Sequence, residues 1–414
     1  MLRLFLVLVA LSAACTDPDP DLTATTHELG ASAPTREHIA GDVYHYSFAL
    51  PVGDGPNARL TIHRVTRERA PWQPRRSRRA LVLMHGDFST FWTNFDRMAP
   101  WLAERGIDVW GFDRRWTQAP ETGADVSDFA TMGLAEELAD IGTALAFVRG
   151  VRLVTDGSDE RVTLGGFSRG GQLAYYYASQ EMLAPPQLRH VHGLVPLDVY
   201  ASISPADDDR RQYFCELAGF EYDAYNAGFI DSPNTFIFDV GRLALSAPND
   251  VSPYAFFPGQ TNRGVLFTTV GRTYLFFAPN PVYHLIAPVI DGRITGLRYS
   301  NETTVATWLA NAAPHQSMLE QAETDAMLCN EAPPVDAPLS RIRVPLLLLA
   351  AAGGYGERAL FSTTQVSSPD VTTQVIRLLP AEQEAEDFGH ADLLFADNAP
   401  ALAWQPLLSW LNAL

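Results

Sequence analysis

The chain has 414 residues, of which 47% are apolar, enough for one large core with an insertion. Its formal charge is −18 and all 30 of its cationic side chains are arginine. So acidic a balance argues against nucleic acid as a general partner, and no segment beyond the first residues has a disordered composition.

Arg3 and the apolar run from Leu4 to Leu11 read as an export signal, too short for a transmembrane helix. Ser12-Ala13-Ala14-Cys15 resembles a bacterial lipobox, with Ser12 where Leu is usual. The resemblance implies removal of residues 1–14, lipidation of Cys15 and a membrane-anchored place in the bacterial cell envelope. Ordinary secretion is the alternative. Residues 15–40 are rich in Asp, Pro, Thr and Ala and read as the lipid anchor and a flexible acidic tether.

Alternating strands are predicted at Val43 to Phe48 and Leu60 to Val65, joined across Gly53 to Asn57 as a hairpin. The solvated basic loop Arg75-Arg76-Ser77-Arg78-Arg79 follows. The continuous apolar run Ala80 to Met84 predicts a strand buried on both faces. Helical spacing from Phe91 to Arg105 ends at Gly106, a second buried strand covers Ile107 to Phe112, and a helix from Met132 to Val148 closes at Gly150. Strands at Val162 to Phe167 and Val191 to Leu197 flank another helix. This alternation predicts an α/β fold with a mostly parallel sheet and helices on both faces. It breaks over residues 199–340, which are rich in aromatics, Pro and Gly. It resumes with a strand at Val344 to Leu349, a short one near Thr372 to Leu378, and a final amphipathic helix up to Leu414.

The run Val162-Thr163-Leu164-Gly165-Gly166-Phe167-Ser168-Arg169-Gly170-Gly171 is an apolar strand, then G-x-S-x-G, then a helix. Side chains would not fit on either side of so sharp a turn, so Gly166 and Gly170 leave Ser168 strained and exposed. The pattern resembles the nucleophile elbow of the α/β-hydrolase superfamily, and the chain resembles that family from about Val43 to the end. The resemblance implies a core of residues 41–198 and 341–414, with residues 199–340 as a cap or lid inserted after the strand that follows the nucleophile helix.

A serine hydroxyl needs a base to take its proton and an acid to orient that base. The family order is Ser, then Asp or Glu, then His. His390, between the last strand and the last helix, fits the final role. His284 and His315 could act only from the insertion. The acid is either Glu357, in the loop after the strand ending near Ala351, or Asp198, at the tip of Leu194-Val195-Pro196-Leu197-Asp198. The turn His85-Gly86-Asp87-Phe88 resembles the family's oxyanion loop, implying N–H donation from Asp87 with Arg169 as second donor. A carboxylate there is a departure. Asp87 is therefore expected to point away and cap the helix beginning near Phe91. Asp113 is expected to hold a turn.

An exported chain meets oxidants, so Cys215 and Cys329 are expected to form a disulfide. No Walker loop, dinucleotide fingerprint or zinc-ligand spacing appears, so neither a metal nor a cofactor is called. The expected activity is a serine hydrolase that cleaves an apolar carboxylic ester through an acyl-enzyme on Ser168. The alternatives are an amide or peptide hydrolase of the iminopeptidase type, and a non-catalytic surface lipoprotein keeping the fold as a binding module.

Overall fold

A computed structural model describes residues 33–271, 284–290 and 293–414. The signal, Cys15 and most of the tether lie outside those residues. A ten-stranded sheet organises the molecule. Its strands are β1 (Thr35–Ala40), β2 (Val43–Pro51), β3 (Arg59–Ala70), β4 (Gln73–Pro74), β5 (Ala80–Met84), β6 (Asp108–Asp113), β7 (Val162–Phe167), β8 (Val191–Leu197), β9 (Leu346–Ala351) and β10 (Val371–Ile376). The order is β1-β2-β3-β6-β5-β7-β8-β9-β10, with β4 paired to β3. Strands β1 to β4 are antiparallel, as is the β3–β6 pair. From β6 to β10 every neighbouring pair is parallel.

The apolar runs become central strands because both faces of the sheet are covered. Along β5, Leu81 and Leu83 join a core with Phe91, Phe95, Leu102 and Leu407, whereas Ala80, Val82 and Met84 join a second core with Leu138, Ile141 and Leu173. The first face carries α1 (Phe91–Phe95), α2 (Met98–Glu104) and the C-terminal helix. The second carries α3 (Leu134–Asp156) and α4 (Arg169–Glu181).

Strand limits shift by a few residues, as where Leu60 to Val65 becomes Arg59–Ala70, and three elements change more substantially. Residues 35–40 are strand rather than tether, held by pairing with β2 and by Arg36 on the Glu68 carboxylate at 2.8 Å. The helix predicted from Phe91 to Arg105 is two helices, because Pro100 supplies no N–H and is tolerated only in a first turn, here that of α2. Helix α3 runs through Gly150 and stops at Gly157, whose φ is 69°. Its last two turns carry Arg152 and Asp156 into a buried ion cluster with Asp108 and Arg64. That pairing overrides the weak helix propensity of one glycine, about 1 kcal/mol.

Between β8 and β9 the described residues of the range 199–340 carry the helices α5 (Asp208–Asn226), α6 (Thr235–Ser246), α7 (Asn262–Gly271), α8 (Glu302–Ala310) and α9 (Met318–Cys329). Cys215 on α5 and Cys329 on α9 are joined as a disulfide. Two further helices follow in the core, α10 (Gly356–Thr364) and α11 (Asp392–Phe395), before α12 (Gln405–Ala413). Among the described residues no helix is long and apolar enough to cross a membrane.

Candidate active site

Ser168 sits between β7 and α4 with φ 54° and ψ −127°, a backbone state that a residue with a side chain adopts only under constraint. The constraint is steric. A Cβ on Gly166 would lie 2.3 Å from the Gly170 carbonyl carbon, and one on Gly170 would lie 2.2 Å from the Met84 oxygen. Only glycines let α4 approach β5 and β7 this closely, and the serine is pushed to the carboxyl end of the parallel strands. A Cβ on Gly86 would be 3.2 Å from Ser168 Cβ, so the loop after β5 adjoins the serine. Ser168 Oγ has no hydrogen-bond partner among the described residues.

Asp198 follows β8 and His390 precedes α11. His390 Nδ1 and Asp198 Oδ2 are 2.7 Å apart, and both side chains are buried. Asp198 also accepts N–H bonds from Ala351, Tyr355 and Gly356. Backbone donors from the last residue of β9 and the turn after it thus fix the carboxylate, and the carboxylate fixes the imidazole. With Nδ1–H donating to Asp198, Nε2 is left as an acceptor. Phe167, the residue before Ser168, stacks on the His390 ring at 4.3 Å, and the Tyr355 ring stands edge-on at 5.1 Å. The serine strand and the histidine loop therefore meet.

Glu357 is placed otherwise. It opens α10 at the surface, pairs with Arg377 at 3.4 Å and makes no bond to His390. The loop after β9 contributes its backbone N–H groups instead of a carboxylate. His315 bonds Asp231 at 2.8 Å. The His284 ring is 5.6 Å from that of His390, and burial pushes its pKa down to about 3.

The N–H groups of Asp87 and Arg169 have no hydrogen-bond partners among the described residues. The Asp87 side chain does not cap a helix. Thr90 caps α1, and Asp113 accepts the Phe91 N–H at 2.6 Å while also meeting His63 at 3.1 Å. The Asp87 carboxylate is bound instead by Arg169 Nε at 3.2 Å and Gln316 Nε2 at 2.7 Å. Burial works to raise its pKa, but Arg169, Arg114 and Gln316 outweigh it and hold the carboxyl below the ordinary range. The negative charge is thus paired rather than aimed at the serine.

Sequence reasoning missed the residues of the insertion that reach this loop. Gln316 accepts the Phe88 N–H at 3.0 Å, Asp325 takes Arg169 at 2.7 Å, and Glu320 takes Arg114 at 3.2 Å. One signal was present: Ser317 with Glu320 three residues on is a helix-start pattern, and Ser317 caps α9. It places Gln316 just outside a helix but does not name its partners.

No protein-family model and no curated protein sequence matches this chain. Solved structures do resemble it. A candidate lipase from Sulfolobus solfataricus matches with a TM-score of 0.60 and 16% identity, covering 92% of this chain and 99% of the other. A hypothetical protein from Pseudomonas aeruginosa matches with a TM-score of 0.50 and 13% identity, over 91% and 95% of the two chains. A soluble variant of monoglyceride lipase from Saccharomyces cerevisiae, bound to a substrate analog, reaches 0.49 with 13% identity, over 96% and 99%. The parallel sheet, the elbow and the first of these likenesses define the chain as an α/β-hydrolase fold.

Proposed function

We propose that the protein is a serine hydrolase acting on carboxylic esters. The observation that carries the reading is the buried Asp198–His390 pair beside the Ser168 elbow. Ser168 Oγ attacks the ester carbonyl and His390 Nε2 takes its proton. The oxyanion forms against the N–H groups of Asp87 and Arg169, and Asp198 stabilises the imidazolium. Collapse breaks the ester C–O bond, the leaving alcohol takes the proton from His390, and the acyl group remains on Ser168. Water, deprotonated by the same imidazole, then releases the acid.

The ester class is favoured by the lipase-like neighbour and by the aromatic side chains around His390, namely Phe167, Tyr355 and Trp308 beside His284. A fluorophosphonate probe tests the reading. It should label the protein at Ser168, and Ser168→Ala should abolish labelling without unfolding. An unlabelled but folded protein would leave a binding module as the better account.

The helical insertion serves in this reading as a cap over the serine. In this reading the protein is a lipoprotein of the cell envelope, anchored through Cys15; the lipobox-like Ser12-Ala13-Ala14-Cys15 supports it. Detergent phase partitioning of the full chain and of Cys15→Ala tests the anchor. Equal partitioning into the aqueous phase would remove it.

A further inference from the structure

We infer that Gln316, contributed by the insertion, is a positioning residue for the oxyanion loop, so that the site is incomplete without the insertion; this rests on the hydrolase reading above. The geometry is specific. Phe88 follows the proposed donor Asp87 and has φ 50°, unfavourable for a bulky side chain. Both of its backbone polar groups are held from residues more than two hundred positions away. Its N–H donates to Gln316 Oε1 at 3.0 Å, and its carbonyl accepts the Ala313 N–H at 2.7 Å.

The same amide of Gln316 uses Nε2 to bind Asp87 Oδ1 at 2.7 Å and Glu320 Oε2 at 2.8 Å. Its own backbone exchanges bonds with Ser232, and the side chain is fully buried. The second donor residue is tied to the same element, since Arg169 Nη1 binds Asp325 of α9 and its Nε binds Asp87.

One amide therefore does two things that a carboxylate or an alkyl group could not do together. It accepts from the Asp87–Phe88 peptide, the one next to the peptide that carries the Asp87 N–H, and it donates to the carboxylate that must stay away from a developing negative charge. Replacing Gln316 by Glu keeps the size and the acceptor but sets a new anion against both Asp87 and Glu320. The loop can relieve that repulsion only by turning. Asp87→Asn combined with Gln316→Glu reverses the donor and acceptor across the Asp87 pair and restores that bond, while the contact with Glu320 stays repulsive.

The test uses the full chain, its rate of fluorophosphonate labelling, and kcat and KM on a short-chain ester. Loss of one oxyanion donor typically costs about 100- to 1000-fold, so a misdirected donor in Q316E should lower labelling and kcat by about 10- to 100-fold. KM should barely move. The double variant D87N/Q316E should recover part of the loss, since the new carboxylate still faces Glu320, and a merely structural lesion would allow no recovery through Asp87. Q316M, which removes all three side-chain bonds without adding charge, is compared directly with the unmodified protein in labelling rate and kcat if Q316E fails to fold.

Labelling of Q316E and Q316M at the unmodified rate, or a loss confined to KM, would overturn the inference while leaving the hydrolase intact. No labelling of the unmodified protein would overturn both.

Discussion

Asp198 Oδ2 lies 2.7 Å from His390 Nδ1 although the two residues are 192 apart in the chain. The carboxylate is itself fixed by three backbone N–H groups of residues 351–356, so it orients the imidazole rather than following it. Asp198→Asn would set an amide N–H or a weaker acceptor against Nδ1 and favour the tautomer with its proton on Nε2. That tautomer cannot accept from Ser168. Turnover should fall by about four orders of magnitude, as loss of an orienting carboxylate does elsewhere. Glu357→Gln should leave turnover essentially unchanged, because its partner is Arg377. Steady-state kinetics on one ester for both variants decides between the two acids. Comparable losses in both would contradict the assignment.

Gly354 explains how that carboxylate is approached so closely. A Cβ there would lie 2.1 Å from Asp198 Oδ2 and 3.0 Å from His390 Cα. Gly354→Ala is expected to push the pair apart, lowering both turnover and the thermal midpoint. Gly219→Ala on exposed α5, with nothing within 4 Å of its added carbon, is the matched control. It should stabilise by about 0.5–1 kcal/mol, since an interior helix glycine is costly. Calorimetry on the two variants would show opposite shifts, and a harmless Gly354→Ala would mean that the loop is not tightly packed.

The parts of the fold legible in the sequence were those fixed by local physics. Strands β5, β7 and β9 are buried on both faces, so β5 and β9 read as unbroken apolar runs and β7 as one broken only by Thr163. The Gly166-x-Ser168-x-Gly170 spacing follows from contacts within one turn. The choice of acid was not legible, because Asp198 and Glu357 follow neighbouring strands, β8 and β9, and both positions are near the histidine loop. Helix limits were missed where tertiary ion pairs outweighed a glycine, as at Gly150, or where Pro100 restarted a helix. The partners of Asp87 were invisible for a different reason. Gln316 is 229 residues away and reaches it through a side chain, with no spacing rule connecting them.

The Cys215–Cys329 bond joins α5 to the last residue of α9, the helix whose other side chains hold Arg114 and Arg169. It closes a span of 114 residues. Reduction, or the pair C215S/C329S, should cost on the order of 2–4 kcal/mol through added freedom of the unfolded chain. Denaturant unfolding with and without reductant measures the loss. Thiol titration should find these two cysteines unreactive before reduction and reactive after it.

Asp392 gives a prediction in pH. It is fully buried two residues after His390, and it binds Ser300 Oγ at 2.6 Å and the Gly389 N–H at 2.9 Å. Burial raises its pKa to about 7, against the lowering effect of those bonds. The folded state therefore holds a proton that the unfolded chain releases near the ordinary carboxylate value. Its contribution to stability is fully present below that ordinary value and is lost as pH rises from there through about 7. The size is on the order of a few kcal/mol, given 1.4 kcal/mol per unit. Asp392→Asn stays neutral throughout and can still accept from Gly389 and donate to Ser300. Urea unfolding at pH 5 and pH 8 should show the unmodified protein losing stability across that interval while the variant loses less, so that the variant is the more stable of the two at pH 8. Parallel profiles would mean that Asp392 is already ionised in the fold, with its charge held by the Ser300 and Gly389 donors.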